Sequence, residues 1–234
     1  MEQIAYITTC KGRLEHLKQS LPTVAKQQGV TCIVVDYACP DHAGEWVEAN
    51  WPHVKLIRVE EVDGFHLAKA RNIGAKAAIA PWLAFFDADV LWSENFADRL
   101  CPRLTAGNFY RSSSPTAQTW GSIVCSRGEF ERIGGYDEAI QGWGGEDDDL
   151  LMRLRMLGVQ ANNFNASEIS EVAHSEAQRV RFYDIKNRNL QHRINMIYLQ
   201  AKVDLMRLLN SDLPAQLRNH LHLQVTQAVV DAHN

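Results

Sequence analysis

The strongest constraint on the fold of this chain is an alternation that fills its first part. Short apolar, β-branched runs are each followed by a longer stretch of helical spacing. Residues 4–8 read as a strand and 13–28 as a helix closed by Gly29. The unit repeats as 31–36 then 41–50, and as 54–59 then 67–78, before a strand at 82–86 that ends on Asp87. Strands separated by helices of about ten or more residues predict a mostly parallel sheet flanked by helices, an α/β fold. In such sheets ligands bind at the carboxyl ends of the strands. Thr8, Thr9, Asp36 and Asp87 all fall at those ends, so the strand exits are expected to converge on one site.

Beyond Asp89 the pattern changes. Residues 111–119 are polar and read as a loop, 122–125 as a strand, 127–133 as a short helix ending at Gly134-Gly135, and 136–145 as a loop leading into a helix over 147–157 stopped by Gly158. Two long helices are predicted over 178–210 and 213–232, the second with Asp212 as N-cap and Pro214 in its first turn. The expected organisation is one domain over 1–180, with a change of pattern near residue 90, then a helical extension over 181–234.

Composition removes several function classes. With 46% apolar residues the chain can bury one core, and a net charge of −4 argues against nucleic acid as a partner. Five cysteines without a C-x-x-C pair speak against a disulfide framework or a thiolate zinc site and for a reducing compartment. The apolar run near the start is too short for a signal peptide or a membrane span, so a cytoplasmic location is expected. The C-terminal helices leave peripheral membrane attachment or a homodimer contact open.

Three features carry chemistry. Asp87-Ala88-Asp89 places two carboxylates at a strand exit. At about 4 Å such charges repel by roughly 4 kcal/mol at an effective dielectric of ~20, so the pair invites a hard divalent cation, Mn2+ or Mg2+, that would also hold phosphates. An Asp-x-Asp is commonly a plain solvated turn, and it is the strand-end position that favours the cation here. Gly142-Trp143-Gly144-Gly145-Glu146-Asp147-Asp148-Asp149 joins a glycine-tryptophan loop to four acids at a helix start, where the helix dipole favours negative charge. An aromatic face beside carboxylates suits a sugar, and one acid of the run could act as general base toward an acceptor hydroxyl. His174 is by itself an ordinary structural histidine.

These residues resemble the inverting glycosyltransferases of the GT-A fold, most closely the β-1,4-galactosyltransferase catalytic domain. Gly142–Asp149 matches that family's distinctive motif letter for letter. Lys11-Gly12-Arg13-Leu14-Glu15-His16-Leu17-Lys18 is similar to its N-terminal nucleotide-binding segment, Phe65-His66-Leu67-Ala68-Lys69-Ala70-Arg71-Asn72-Ile73-Gly74 to its Phe-x-x-Ala-Lys-x-x-Asn-x-Gly segment, and the stretch from Gly121 through Gly134-Gly135-Tyr136-Asp137 to what precedes the motif there. The resemblance covers roughly residues 4–180 with the motifs in order.

The resemblance implies a catalytic domain over 1–180 with a nucleotide-binding half (1–90) and an acceptor half (91–180), in which Lys11 and Arg13 meet a diphosphate and Phe65 packs on the nucleobase, with Thr8, Asp36, Lys69, Arg71, Asn72, Asp87 and Ala88 also on the donor side. It implies a metal on Asp89 and His174 with Asp87 close by. Trp143, Gly144 and Asp148 would hold the acceptor, Glu146 would touch donor or acceptor, and Asp147 would be the base of an inverting displacement. Some positions depart from the family. Leu67 stands where the galactosyltransferases have arginine, Arg71-Asn72 resembles the Ala-Arg-Asn of bacterial family 2 glycosyltransferases, Asp36 resembles the family 2 aspartate that binds base or ribose, and Glu171 replaces a methionine. Asp36 supports a UDP-sugar donor, the lack of a membrane anchor and of a matched cysteine pair suggests a bacterial, cytosolic relative, and the resemblance itself favours galactose or N-acetylgalactosamine, with glucose left open and a carbohydrate or glycoconjugate acceptor expected. Two other readings compete: a sugar-phosphate nucleotidyltransferase, which would release pyrophosphate, and a non-catalytic module that binds carbohydrate or metal through the same acids.

Overall fold

The computed structural model describes residues 2–60, 62–116, 119–173 and 180–233. Its centre is a seven-stranded sheet of order β3-β2-β1-β4-β7-β6-β8. β1 (Ile4–Cys10), β2 (Val30–Tyr37), β3 (Lys55–Val59) and β4 (Trp82–Phe85) run parallel, as the alternation predicts. β7 (Ile123–Ser126) is antiparallel to β4 and to β6 (Asn108–Ser112), and β6 is parallel to β8 (Gln160–Phe164). The mostly parallel α/β architecture of the GT-A type expected from the sequence is the one observed.

Both faces of the sheet are covered. Along β1, Ile4 and Tyr6 enter one apolar cluster with Leu17, Leu21 and Val24 of α1 (Leu14–Ala25), while Ala5 and Ile7 enter the cluster on the other face. That second cluster takes in Leu150, Leu151 and Leu154 of α6 (Glu146–Met156). A strand buried on both faces is an unbroken apolar run, which is why β1 was legible. The remaining helices are α2 (Ala43–Asn50), α3 (Leu67–Lys76), α4 (Phe96–Leu100), α5 (Arg127–Arg132), α7 (Arg188–Leu209) and α8 (Ala215–His233).

The structure corrects the sequence reading in three places. The loop expected over 111–119 begins inside β6, whose last residues are Arg111 and Ser112. β8, β5 (Val90–Trp92) and β9 (Ile169–Glu171) were not foreseen, and β5 and β9 pair with each other antiparallel. β8 reads Gln-Ala-Asn-Asn-Phe and is exposed along most of its length, so only pairing with β6 makes it a strand. The long helix expected from residue 178 begins at Arg188, capped by the Asn187 side chain, which accepts from the Leu190 amide.

Among the described residues no helix is long and apolar enough to cross a membrane. The five cysteines are free thiols.

Candidate active site

A cleft of about 440 Å³ opens at the carboxyl ends of β1 and β4, and the loops after those strands form one wall. Lys11 and Arg13 come from the β1 exit, Phe65 and Leu67 from the approach to α3, and Asp87, Ala88 and Asp89 from the β4 exit. The start of α6 and the loop before it supply Trp143, Gly144, Gly145, Glu146, Asp147 and Asp148. Segments far apart in sequence therefore meet where a parallel sheet leaves its strand ends open.

The Asp87-Ala88-Asp89 turn is held by its backbone. The Val90 amide donates to the Asp87 carbonyl at 3.1 Å, Ser20 Oγ of α1 donates to the Ala88 carbonyl at 2.6 Å, and the Val172 amide donates to the Asp89 carbonyl at 2.8 Å. These contacts use main-chain carbonyls, and all three residues line the cleft. Asp87 is 40% exposed, while Asp89 is buried. His174 lies outside the described residues, and among those described no group of three or more His, Cys, Asp or Glu side chains is placed to hold a metal.

Arg71 ties the two acidic segments together. It is buried on α3, its Nη2 donates to Asp87 Oδ1 at 2.8 Å, its Nη1 donates to Asp147 Oδ1 at 2.6 Å, and Glu146 Oε1 lies 3.6 Å away. Its guanidinium also sits 5.1 Å from the centre of the Tyr136 ring. Burial raises the proton affinity of Asp147 and Arg71 opposes the rise, while the Asp87 charge adds to it. Burial, then the neighbouring Asp147 charge, pushes Glu146 up to about 8. Carboxylates so perturbed in a cleft are the usual sign of acid–base chemistry. Gly121 makes this approach feasible, because a Cβ there would lie 2.7 Å from Asp147 Oδ2 and 2.9 Å from Arg71 Nη2.

Two tryptophans line the cleft beside these acids. Trp120 is 41% exposed, its Nε1 donates to Asp148 Oδ1 at 3.2 Å, and Arg111 lies 4.2 Å from its ring centre. Trp143 carries Arg188 at 4.1 Å from its ring centre. Further aromatics of the cleft are Phe65, whose ring stacks on Tyr183 at 5.9 Å and meets Tyr37 edge-on at 5.6 Å, and Phe182.

Several expected contacts fall elsewhere. Thr8 points to the buried side of β1, and its neighbour Thr9 lines the cleft, a consequence of strand alternation. Asp36 lines a separate, smaller pocket. Its oxygens accept from the amides of Cys39 and Gly44, each at 2.8 Å, at the start of α2. Lys69 is exposed and outside the cleft lining. Asn72 is taken up internally: its Nδ2 donates to the Tyr136 carbonyl and to Glu138 Oε1, both at 2.9 Å, and its Oδ1 accepts from the Tyr136 amide at 2.8 Å. Arg71, expected against a donor phosphate, points instead between Asp87 and Asp147. Lys11 lines the cleft with its Nζ donating to the Val62 carbonyl at 2.7 Å.

Sequence reasoning missed Trp120, Tyr183, His192 and Met196, all of which line the cleft. A tryptophan inside a polar stretch was the one available signal for Trp120. The others come from segments with no motif.

A profile described as glycosyl transferase family 2 matches residues 6–132, more than half of the chain. The chain belongs to glycosyl transferase family 2. A second profile, described as the N-terminal domain of galactosyltransferase, matches residues 104–181 and so covers the Gly142–Asp149 segment. Family 2 likeness thus covers the N-terminal part of the chain and galactosyltransferase likeness the part that follows, with an overlap at 104–132. Among curated relatives, bovine β-1,4-galactosyltransferase 1 is 28% identical over 178 residues, covering 70% of this chain and 39% of that protein. Validoxylamine A glucosyltransferase of Streptomyces hygroscopicus subsp. jinggangensis is 25% identical over 211 residues, covering 63% of this chain and 50% of that protein. The chain spans half or less of the length of these relatives. Three solved structures share the fold. S. aureus TarS 1-349 in complex with UDP-GlcNAc has a TM-score of 0.66 at 12% identity, covering 95% of this chain and 71% of that one. The mannosyltransferase PcManGT from Pyrobaculum calidifontis, in complex with GDP-Man and Mn2+, has a TM-score of 0.65 at 17% identity over 98% and 74% of the chains. The catalytic domain of Drosophila β1,4-galactosyltransferase 7 with xylobiose has a TM-score of 0.57 at 18% identity over 81% and 78%.

Proposed function

We propose that this family 2 chain is a metal-dependent, inverting hexosyltransferase. It moves a sugar from a UDP-sugar to a hydroxyl of a carbohydrate or glycoconjugate, with galactose or N-acetylgalactosamine favoured over glucose as the sugar transferred. The observation that carries this reading is Asp147. It is a buried carboxylate of raised proton affinity at the start of a helix, one guanidinium away from Asp87 and in the same cleft as two tryptophans. UDP-GlcNAc and GDP-Man in the complexes of similarly folded proteins support a nucleotide-sugar donor. The galactosyltransferase relatives support the choice of sugar.

Asp147 Oδ1 is engaged by Arg71, and Oδ2, beside Gly121, is the atom that accepts the proton of the acceptor hydroxyl. As that proton leaves, the hydroxyl oxygen forms its bond to the anomeric carbon and the bond from that carbon to the diphosphate breaks on the opposite face, which inverts the centre. A raised proton affinity makes Asp147 a more effective base than an ordinary aspartate. Trp120 and Trp143 offer ring faces to the acceptor, and Asp148 accepts a hydroxyl hydrogen beside them. Lys11 and Arg13 meet the diphosphate, and Phe65 with Tyr183 forms the wall for the base.

Asp87 and Asp89 are hard oxygen donors presented by a braced turn and would hold Mn2+ or Mg2+, to which the family resemblance would add His174. When bound, such an ion would offset the charge of the departing diphosphate. The test is a panel of nucleotide sugars with Mn2+, Mg2+ or EDTA, scored for release of nucleoside diphosphate. Metal-dependent UDP release from one donor is expected, with the anomeric configuration of the product read by NMR. Pyrophosphate release would move the chain to the nucleotidyltransferases. Silence across the panel, with no nucleotide binding by calorimetry, would leave a binding module.

A further inference from the structure

The loop that carries Trp143 is held by side chains of the C-terminal hairpin of α7 and α8. Asn195, fully buried on α7, directs its Nδ2 at three loop carbonyls: Gly144 at 2.6 Å, Gln141 at 3.0 Å and Trp143 at 3.4 Å. Its Oδ1 lies 2.9 Å from His222 Nε2 of α8 and accepts from Gln191 Nε2 at 3.3 Å. Gln191 Nε2 also donates to the Gln141 carbonyl at 2.9 Å. His222 is buried, and burial lowers its proton affinity, so near neutral pH it is an uncharged imidazole. An acceptor atom on Asn195 facing Nε2 selects the tautomer with its proton there. The asparagine therefore has one satisfying orientation, with its amino group toward the loop.

The loop backbone is pressed against this residue. Gly145 has φ +93°, and a Cβ on it would lie 2.9 Å from Asn195 Cβ. The same helix face continues into the cleft, where His192 and Met196 line the wall beside Trp143 and the His192 ring centre is 5.6 Å from that of the indole. On the donor side the contacts come from the exits of β1 and β4 and from the 62–65 segment, none of which hydrogen-bonds Asn195 or His222.

We propose that Asn195, oriented by His222, is a positioning residue that fixes the Trp143-Gly144 wall, so that the C-terminal hairpin sets affinity for the sugar acceptor while leaving the donor site to the rest of the domain. This rests on the glycosyltransferase reading above. Neither residue touches the reacting atoms. Their effect passes through the carbonyls of Gln141, Trp143 and Gly144.

The experiment compares the full chain with its Asn195→Ala, His222→Leu and His222→Gln variants. Backbone amide exchange by mass spectrometry follows residues 142–146, and kinetics follow transfer from the active UDP-sugar to the best of a set of p-nitrophenyl glycosides. Exchange in the loop is expected to rise about tenfold in Asn195→Ala and His222→Leu, the scale of a lost buried hydrogen bond, with the central strands still protected. Acceptor KM should rise by a similar factor while donor KM stays near that of the unsubstituted protein. His222→Gln retains an amide donor and should recover most of both losses. Unchanged exchange in the loop, or a donor KM that rises in step with the acceptor KM, overturns the proposal. If the unsubstituted protein turns over no donor, the parent reading falls and the acceptor role falls with it, whatever the exchange data show about the clamp.

Discussion

The two acidic segments of the cleft are held in opposite ways. Asp87-Ala88-Asp89 is fixed through main-chain carbonyls, by Ser20 on Ala88 and Val172 on Asp89, and Asp87 keeps 40% of its side chain exposed. Glu146-Asp147-Asp148-Asp149 is fixed through its side chains, and it divides its labour. Glu146, Asp147 and Asp148 face the cleft. Asp149 turns inward, where it accepts from Arg153 and Lys202. Lys202 is fully buried and also donates to Asp137 at 2.7 Å, which in turn accepts from Tyr198 at 2.7 Å and lies 3.4 Å from Arg218. Burial opposes a charge on Asp137, but Lys202, with Tyr198 and Arg218, outweighs it and holds the carboxyl down at about 2. The contrast fits the roles proposed above: a segment that would receive a cation stays open, whereas one that would present a base at a fixed angle is bolted to the core. The last acid of the motif is part of the bolt.

The largest effect should come from breaking that bolt. Lys202→Met leaves two buried carboxylates without their shared cation and should remove about 3–5 kcal/mol of stability, measured by denaturant unfolding. A loss under about 1 kcal/mol would show that the C-terminal hairpin does not brace the motif. Next comes Asp147→Asn, which should cut turnover by about a hundredfold or more with nucleotide binding retained by calorimetry. Near-normal turnover would take the base role from Asp147. Arg71→Lys should lower turnover by about tenfold, since a lysine cannot hold Asp87 and Asp147 at once with a planar fork. If only donor KM responds, Arg71 serves the donor and not the base. A pH-dependent effect concerns Glu146. Its proton affinity is raised from 4.5 to about 8, so between these values the native state holds more protons than the unfolded chain, and stability falls as pH rises through that window. Glu146→Gln should therefore gain in melting temperature over the parent at pH 8 and lose that gain near pH 5. A pH-independent difference would mean that Glu146 ionises normally.

Much of the cleft wall at the strand exits could be read in the chain because its signals are local. β1 to β4 announce themselves as apolar runs, and their exits carry Asp87, Asp89, Lys11 and Arg13, which the structure brings into one cleft. Strand alternation separates Thr8 from Thr9 by one position, and the sequence reading chose both as exit residues but only Thr8 as a donor contact. Asp36 and Asn72 were expected on the donor side; their intramolecular partners, the amides of Cys39 and Gly44 for Asp36 and the Tyr136 backbone for Asn72, could not be read from neighbouring positions. His174 falls outside the described residues.

The amino-acid sequence by itself determined the layering of the domain, the strand ends where the cleft lies and the identity of its acids, because apolar periodicity and residue chemistry are properties of neighbouring positions. Tertiary structure alone decided which acid faces the cleft and which faces inward, that Arg71 joins Asp87 to Asp147, and that Asn195 and Lys202 from the last helices hold the motif loop. These depend on charges and amides buried together from segments distant along the chain, where each group is satisfied only by partners that no local pattern can name.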